Sequence, residues 1–272
     1  MTRMRQIADV VVLLVLAAYA IPFFWQLLTS FKPDASMLHV LPIVPRQLTT
    51  LHYEVVWGRS VIPQALGNSL AVAALTTALA LLLGLFAAYA LARLPVPGTN
   101  VVLLGIVAGT AFPQVAIVSP LYLLIRGLGL RDTWLALILA NTSFALPLVI
   151  WLLTGFIREI PEQLEEAASL DGAGRRQILS RIIVPLAAPG MASAGLLVFL
   201  ASWNEFLFAY TFTASESSRT VPVALALFPG VFEVPWGDIA AASILASLPP
   251  ILIVIGLGRF LIRGLLAGAL KE

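Results

Sequence analysis

The chain has 272 residues, of which 60% are apolar and 11% charged, with a net charge of +2 and no cysteine. So oily a composition excludes a water-soluble domain of ordinary make-up, and the missing cysteines exclude disulfides, thiol catalysis and thiolate metal sites. At ~20 apolar residues per span, the length holds about six membrane helices in one polytopic unit without a separate soluble domain.

The first apolar stretch, residues 7–31, follows Arg3 and Arg5. Ala18-Tyr19-Ala20 resembles a signal-peptide cleavage site. The apolar run nevertheless continues through Phe23, Phe24, Trp25 and Leu28, and Pro22 crowds the cut, so a retained first span is predicted. Residues 32–63 carry four prolines and both histidines, His39 and His52, which suits an extracytoplasmic connection. A loop or surface role is expected for both histidines. Residues 1–64 thus form the N-terminal span and its connection.

A core of five further spans is predicted within residues 65–262, at about 65–91, 100–124, 134–156, 191–212 and 239–262. Two prolines and a glycine in residues 93–98 end the second span, because they cannot continue a helix. Pro113 and Pro120 interrupt the third. Residues 158–189 are the longest clearly hydrophilic stretch, and residues 263–272 form a tail.

Six spans place both termini on one side. That side would carry Arg3, Arg5, Arg93, Arg158, Arg175, Arg176, Arg181, Arg259, Arg263 and Lys271, against Lys32, Arg46, Arg59, Arg126, Arg131 and Arg219 on the other. The excess of basic residues predicts cytoplasmic termini and puts the hydrophilic loop in the cytoplasm.

The catalytic inventory is poor. His39 and His52 show no metalloprotease spacing, no serine and histidine pair lies at membrane depth, and no span carries two aspartates. No catalytic residue and no metal site is predicted. A phosphate-binding P-loop needs glycine-lysine-serine or threonine, but Lys32 precedes Pro33 and Lys271 precedes Glu272. Any nucleotide-driven motor must sit on another chain. An ion-driven carrier would need several buried ionisable groups, and Glu205 alone qualifies.

Within the hydrophilic loop, Pro161 suits a first helical turn, and the acids after it complement the helix dipole. Leu164, Ala167, Ala168 and Leu170 fall on or near one face, with Glu162, Glu165 and Glu166 on the others. Gly172 permits a sharp turn into a second helix, residues 175–183. Periodicity alone fits equally well a membrane-surface helix or a docking element.

Glu166-Ala167-Ala168, three residues, Gly172, nine residues, Ile182, one residue and Val184-Pro185 resembles the EAA loop of ABC-importer permeases, with valine where leucine is usual. Thr29-Ser30-Phe31-Lys32-Pro33, Gly67-Asn68-Ser69, the run from Ala88 to Leu94, Trp203-Asn204-Glu205-Phe206 and the tail from Gly264 to Lys271 extend the likeness. Over nearly its whole length the sequence is similar to the MalG-like permeases of carbohydrate importers. That resemblance implies an all-α membrane protein with the six-span type I ABC importer permease fold and cytoplasmic termini. It further implies a MalF-like second permease, an ATPase dimer that binds ATP and Mg, an extracytoplasmic solute-binding protein, a carbohydrate substrate and surrounding lipid. This chain would bind no cofactor and no nucleic acid.

On this resemblance, Glu166, Ala167, Ala168, Asp171, Gly172, Ile182 and Pro185 would couple the spans to the ATPase, with Glu166 a charged contact and Gly172 the essential turn. Plain solvation is expected for Glu165. Trp203, Asn204, Glu205 and Asn141 are candidates for the translocation path, since aromatic rings and hydrogen-bonding groups suit a sugar. Glu205 equally suits a structural hydrogen bond, and for Asn141, Thr142 and Ser143 helix packing is favoured. Lys271 fits either an ATPase contact or a membrane-surface anchor. The alternatives are an importer of a polyol or glycerol-phosphate type solute and, from another class, a secondary transporter.

Overall fold

The computed structural model describes residues 2–33, 47–228 and 234–269, with side chains placed for 9–33, 47–228 and 234–258. The described elements are helices: α1 (Thr2–Thr29), α2 (Leu51–Arg59), α3 (Ile62–Arg93), α4 (Thr99–Ala108), α5 (Gln114–Gly127), α6 (Trp134–Glu159), α7 (Gln163–Leu170), α8 (Arg175–Ile178), α9 (Val184–Trp203), α10 (Leu207–Phe212), α11 (Val221–Ala226) and α12 (Trp236–Ala269). Five stretches are long and apolar enough to cross a membrane, and the bent pair of α4 and α5 brings the total to as many as six.

Three helices, α3, α6 and α9, make the centre of the bundle. Lipid offers apolar side chains nothing worse than another helix does, so spans associate where small residues let backbones approach. A Cβ on Gly84 of α3 would overlap the Val149 side chain of α6, and one on Gly190 of α9 would fall on the Phe156 ring. Around these contacts Ala80, Ala88, Leu153, Ile157, Ala194 and Val198 are buried. By contrast α1 presents Leu13, Leu16, Phe24 and Trp25 outward and leans on α12.

Three elements differ from the sequence expectation. The third span is two arms bent by 91°, broken at Phe112-Pro113. Proline has no amide hydrogen and drives the preceding residue into extended geometry, here φ −69 and ψ 125 at Phe112; Pro120, deeper in α5, stays helical. The fifth span begins earlier than residue 191 and ends at Trp203, the whole stretch Arg175–Trp203 running into the bundle, with α10 a separate short helix. The helix of the sixth span, α12, continues through residues 263–269, so the tail begins as helix, while Lys271 lies outside the described residues.

His52 departs from the loop or surface role expected of it, being only 3% exposed. Its Nε2 donates to the Lys32 carbonyl at 2.9 Å, and Nδ1 lies 2.7 Å from Asp238 Oδ1, which ties α2 to the end of α1 and the start of α12. Gly237 makes room, since a Cβ there would collide with the imidazole. His39 lies outside the described residues.

Other short polar motifs also close that end of the bundle. Asn68 Nδ2 donates to the Arg219 carbonyl at 2.8 Å, and Ser69 Oγ accepts from Val221 N at 2.8 Å, so the Gly67-Asn68-Ser69 motif pins the chain entering α11. Asp132 stands at φ 64 and gathers the turn after α10, accepting from Ala214 N at 2.7 Å, Ser215 N at 3.0 Å and the Ser218 hydroxyl. Burial disfavours its charged form, but these donors outweigh that and hold the carboxyl well below the ordinary carboxylate range.

Candidate functional site

The hydrophilic loop folds into α7, a glycine turn and α8, at the end of the bundle opposite His52 and Asp132. Just ahead of α7, the Pro161 carbonyl accepts from Leu164 N and the Glu162 carbonyl from Glu165 N and Glu166 N. The far end closes with Gly172 N donating to Ser169 O at 3.0 Å and Ala173 N to Ala168 O at 2.9 Å, a Schellman arrangement. Such a cap needs a left-handed residue, and Gly172 supplies it at φ 85. Asp171 is the exposed residue just before that turn.

The eight residues of α7 have two unlike faces. Leu164 is 44% exposed, Leu170 is 89% exposed, and Ala167 and Glu166 are exposed beside them. Ala168 turns inward against the buried cluster of α3, α6 and α9. Glu165 turns inward too, contrary to the expected plain solvation, because Arg93 and Tyr89 of α3 meet it there. Sequence periodicity placed Glu165 off the apolar face but had no way to supply its partners, which lie 72 and 76 positions away. A cavity of about 610 Å³ opens beside these residues, lined also by Glu166, Ser169 and Arg175.

After α8 the helix widens to a π-turn, Leu179–Ile183, before α9. Pro185 explains it: a proline cannot donate back one turn and its ring crowds the carbonyl four residues earlier, so the preceding turn opens. Ile178 and Ile183 are buried in the bundle and anchor this exit, whereas the motif residue Ile182 is half-buried and Pro185 exposed. The motif spacing points to Ile182; only the widened turn carries Ile183 to the deeper position.

The four candidate path residues separate into two pairs. Trp203 and Asn204 end α9 on a groove of about 490 Å³ shared with Phe23, Pro222, Ser243 and Ser247. Trp203 is buried and stacked on Phe199 with centroids 5.8 Å apart. The Ser243 and Ser247 hydroxyls donate to the carbonyls of Ile239 and Ser243, which leaves their lone pairs to accept. Glu205 instead caps α10, accepting from Phe208 N at 2.6 Å and Ala209 N at 3.0 Å. Asn141 is buried and its Nδ2 donates to Ser202 Oγ at 3.0 Å, joining α6 to α9. Neither Glu205 nor Asn141 lines the groove. Among the described residues no group of three histidine or acidic side chains is placed to hold a metal ion.

A bundle of apolar spans that holds out a short helix with an exposed face at one end defines a multi-pass membrane protein. The chain belongs to the family of binding-protein-dependent transport system inner membrane components, whose model matches residues 80–267, and it is a permease component rather than an enzyme. It is 40% identical over 260 residues to the trehalose transport system permease protein SugB of Mycobacterium tuberculosis, covering 95% of this chain and 94% of that one. It is 38% identical over 253 residues to the trehalose/maltose transport system permease protein MalG of Thermococcus litoralis, covering 92% and 91%. In fold it resembles a bacterial ABC transporter involved in the import of the acidic polysaccharide alginate, with a TM-score of 0.78 at 23% identity over 94% of this chain and 96% of that one.

Proposed function

We propose that this chain is a permease subunit that carries a carbohydrate across the cytoplasmic membrane of a prokaryote, driven by a separate ATPase dimer that binds ATP and Mg. The observation that carries this reading is α7: it is fixed on its inner side, closed by a left-handed glycine, and exposes Leu164, Ala167 and Leu170 to whatever docks there. An isolated surface helix of eight residues is marginal in water, so its order comes from the bundle and its exposed face is available to a partner.

The termini and α7 face the cytoplasm in this proposal, as the arginine distribution favours. The apolar surface of α1 meets lipid and a second, MalF-like permease, and a solute-binding protein delivers the sugar at the opposite end. Glu166, Ala167, Ala168, Asp171, Gly172, Ile182 and Pro185 form the coupling element. Trp203 and Asn204 contact solute in the groove, whereas the hydrogen bonds of Glu205 and Asn141 favour structural roles. The trehalose and maltose named in two relatives support a sugar substrate. The sulfoquinovosyl glycerol named in a third, 39% identical, favours a glycoside with a polyol portion as the second reading.

The test is uptake by the complex with its partner permease, ATPase and binding protein in sealed vesicles. ATP-dependent accumulation of labelled trehalose or maltose, competed by unlabelled sugar, is expected. Accumulation of a polyol or glycerol phosphate with no uptake of any mono-, di- or oligosaccharide would overturn the carbohydrate assignment.

A further inference from the structure

We propose that Arg93 and Tyr89 are positioning residues that clamp α7 through Glu165 to the ends of α3 and α6, so that force applied to the exposed face of α7 moves two spans as one body. This rests on the coupling role proposed above for α7. Arg93 is the last residue of α3, and its side chain is 7% exposed. Its Nε donates to Glu165 Oε1 at 2.5 Å, and one terminal nitrogen donates to the carbonyls of Ile157 at 2.7 Å and Ile160 at 2.5 Å. Tyr89, one turn earlier on α3, donates its hydroxyl to Glu165 Oε2 at 3.0 Å.

The chemistry of each contact suits a permanent link. The carbonyls at a helix C-terminus carry partial negative charge and have lone pairs to spare, Ile157 O accepting one other bond, from Ile160 N, so a guanidinium is the complement to the end of α6. Its planar fork reaches carboxylate and carbonyls together, which a lysine ammonium does less well. Glu165 has both oxygens held, and its side chain is 13% exposed, so water competes poorly for this pair. Glu162, 69% exposed and 3.6 Å from Arg93, adds little. The clamp therefore occupies the inner side of α7 and leaves Leu164, Ala167 and Leu170 uncovered.

A rigid link makes a claim that ordinary stabilisation does not. If α7 were merely propped against the bundle, loosening it would reduce the amount of assembled complex while each assembled complex still coupled normally. If the clamp transmits force, an assembled complex should hydrolyse ATP with less solute moved per ATP.

The experiment uses the full complex in vesicles and reads three quantities: co-purification of the ATPase, hydrolysis stimulated by the loaded binding protein, and solute moved per ATP. For R93A and E165Q we expect the ATPase to remain bound and solute moved per ATP to fall about tenfold, with R93A/E165Q no worse than either single change. Y89F should fall by about twofold. Because the chain has no cysteine, R93C/E165C can be joined by a short thiol-specific cross-linker, and cross-linking is expected to recover coupling. Should R93A fail to assemble, E165Q and the cross-linked pair carry the test.

The clamp is overturned by unchanged solute per ATP in assembled E165Q complexes, by additive losses in the double variant, or by a cross-link that abolishes uptake. Loss of uptake only in proportion to lost ATPase would likewise reduce the contact to a structural prop. Failure of the coupling role itself looks different: ATP-driven uptake by G172D complexes would then equal that of the unaltered chain. If G172D uncouples and the clamp variants do not, only the clamp falls.

Discussion

Glu165 and Asp132 are carboxylates at opposite ends of the same bundle, and each ties its own segment to one other part of the chain, yet the donors that hold them differ. Asp132 draws in backbone amides and a serine hydroxyl of the turn after α10, and so fastens that turn to the start of α6. Glu165 is itself drawn in by Arg93 and Tyr89, and the helix that carries it keeps its apolar face outside. The same residue chemistry therefore makes a latch at one end and, in the role proposed for α7, a handle at the other. Asp132 is held mainly by backbone amides of a loop, whereas Glu165 is held by side-chain donors of a neighbouring span.

The largest effect is expected from disturbing the core that joins the two ends. Gly84→Leu drives a side chain into Val149, which is fully buried and stiff, and should destabilise the protein by about 3 kcal/mol, read as a lowered midpoint in thermal unfolding of purified protein. Both ends should suffer together. Gly172→Asp touches the handle only. A residue with a side chain at φ 85 carries strain of about 1–3 kcal/mol, so ATP-driven uptake should drop about tenfold while the complex stays assembled in the membrane.

At the latch, Asp132→Asn keeps a residue type that tolerates φ 64 but removes the charged acceptor of two amides and one hydroxyl, and should lower stability by about 1 kcal/mol without altering solute moved per ATP. The same contact has a pH signature. Because the folded carboxyl sits below its unfolded value, its stabilisation is complete above about pH 4 and disappears as acid protonates it, so unfolding midpoints of parent and Asp132→Asn should converge below that range. The smallest effect is expected at a single polar contact inside the bundle. Ser202→Ala removes the partner of Asn141 and should reduce stability by about 0.6 kcal/mol, with uptake unchanged.

Much of this architecture was legible because lipid imposes a strong rule on sequence. Every span must bury its own backbone polar groups, so long apolar runs announced helices and clusters of proline, glycine and charge announced their ends. The α7 turn was legible for a similar reason, since Gly172 and the helix before it are local features whose geometry the adjacent residues dictate. The elements that escaped were those decided by two parts of the chain meeting. Pro113 and Pro120 are alike as sequence interruptions, but only the first bends the helix pair by 91°. The residues around Pro185 looked like the end of a loop, whereas a widened turn lets α9 run on from it.

The side chains follow the same division. Composition by itself determined that this chain is a polytopic membrane protein without a P-loop, and the resemblance of the Glu166-Ala167-Ala168 pattern to the EAA loop added the permease reading, because these are properties of the linear chain. Tertiary structure alone decided that Glu165 faces Arg93, that His52 is enclosed with Asp238, and that Glu205 and Asn141 hold helices while Trp203 and Asn204 line the groove. The reason is that a charged or polar side chain carries no record in sequence of the partner it will meet. That partner is chosen by helix packing, which brings together residues dozens of positions apart.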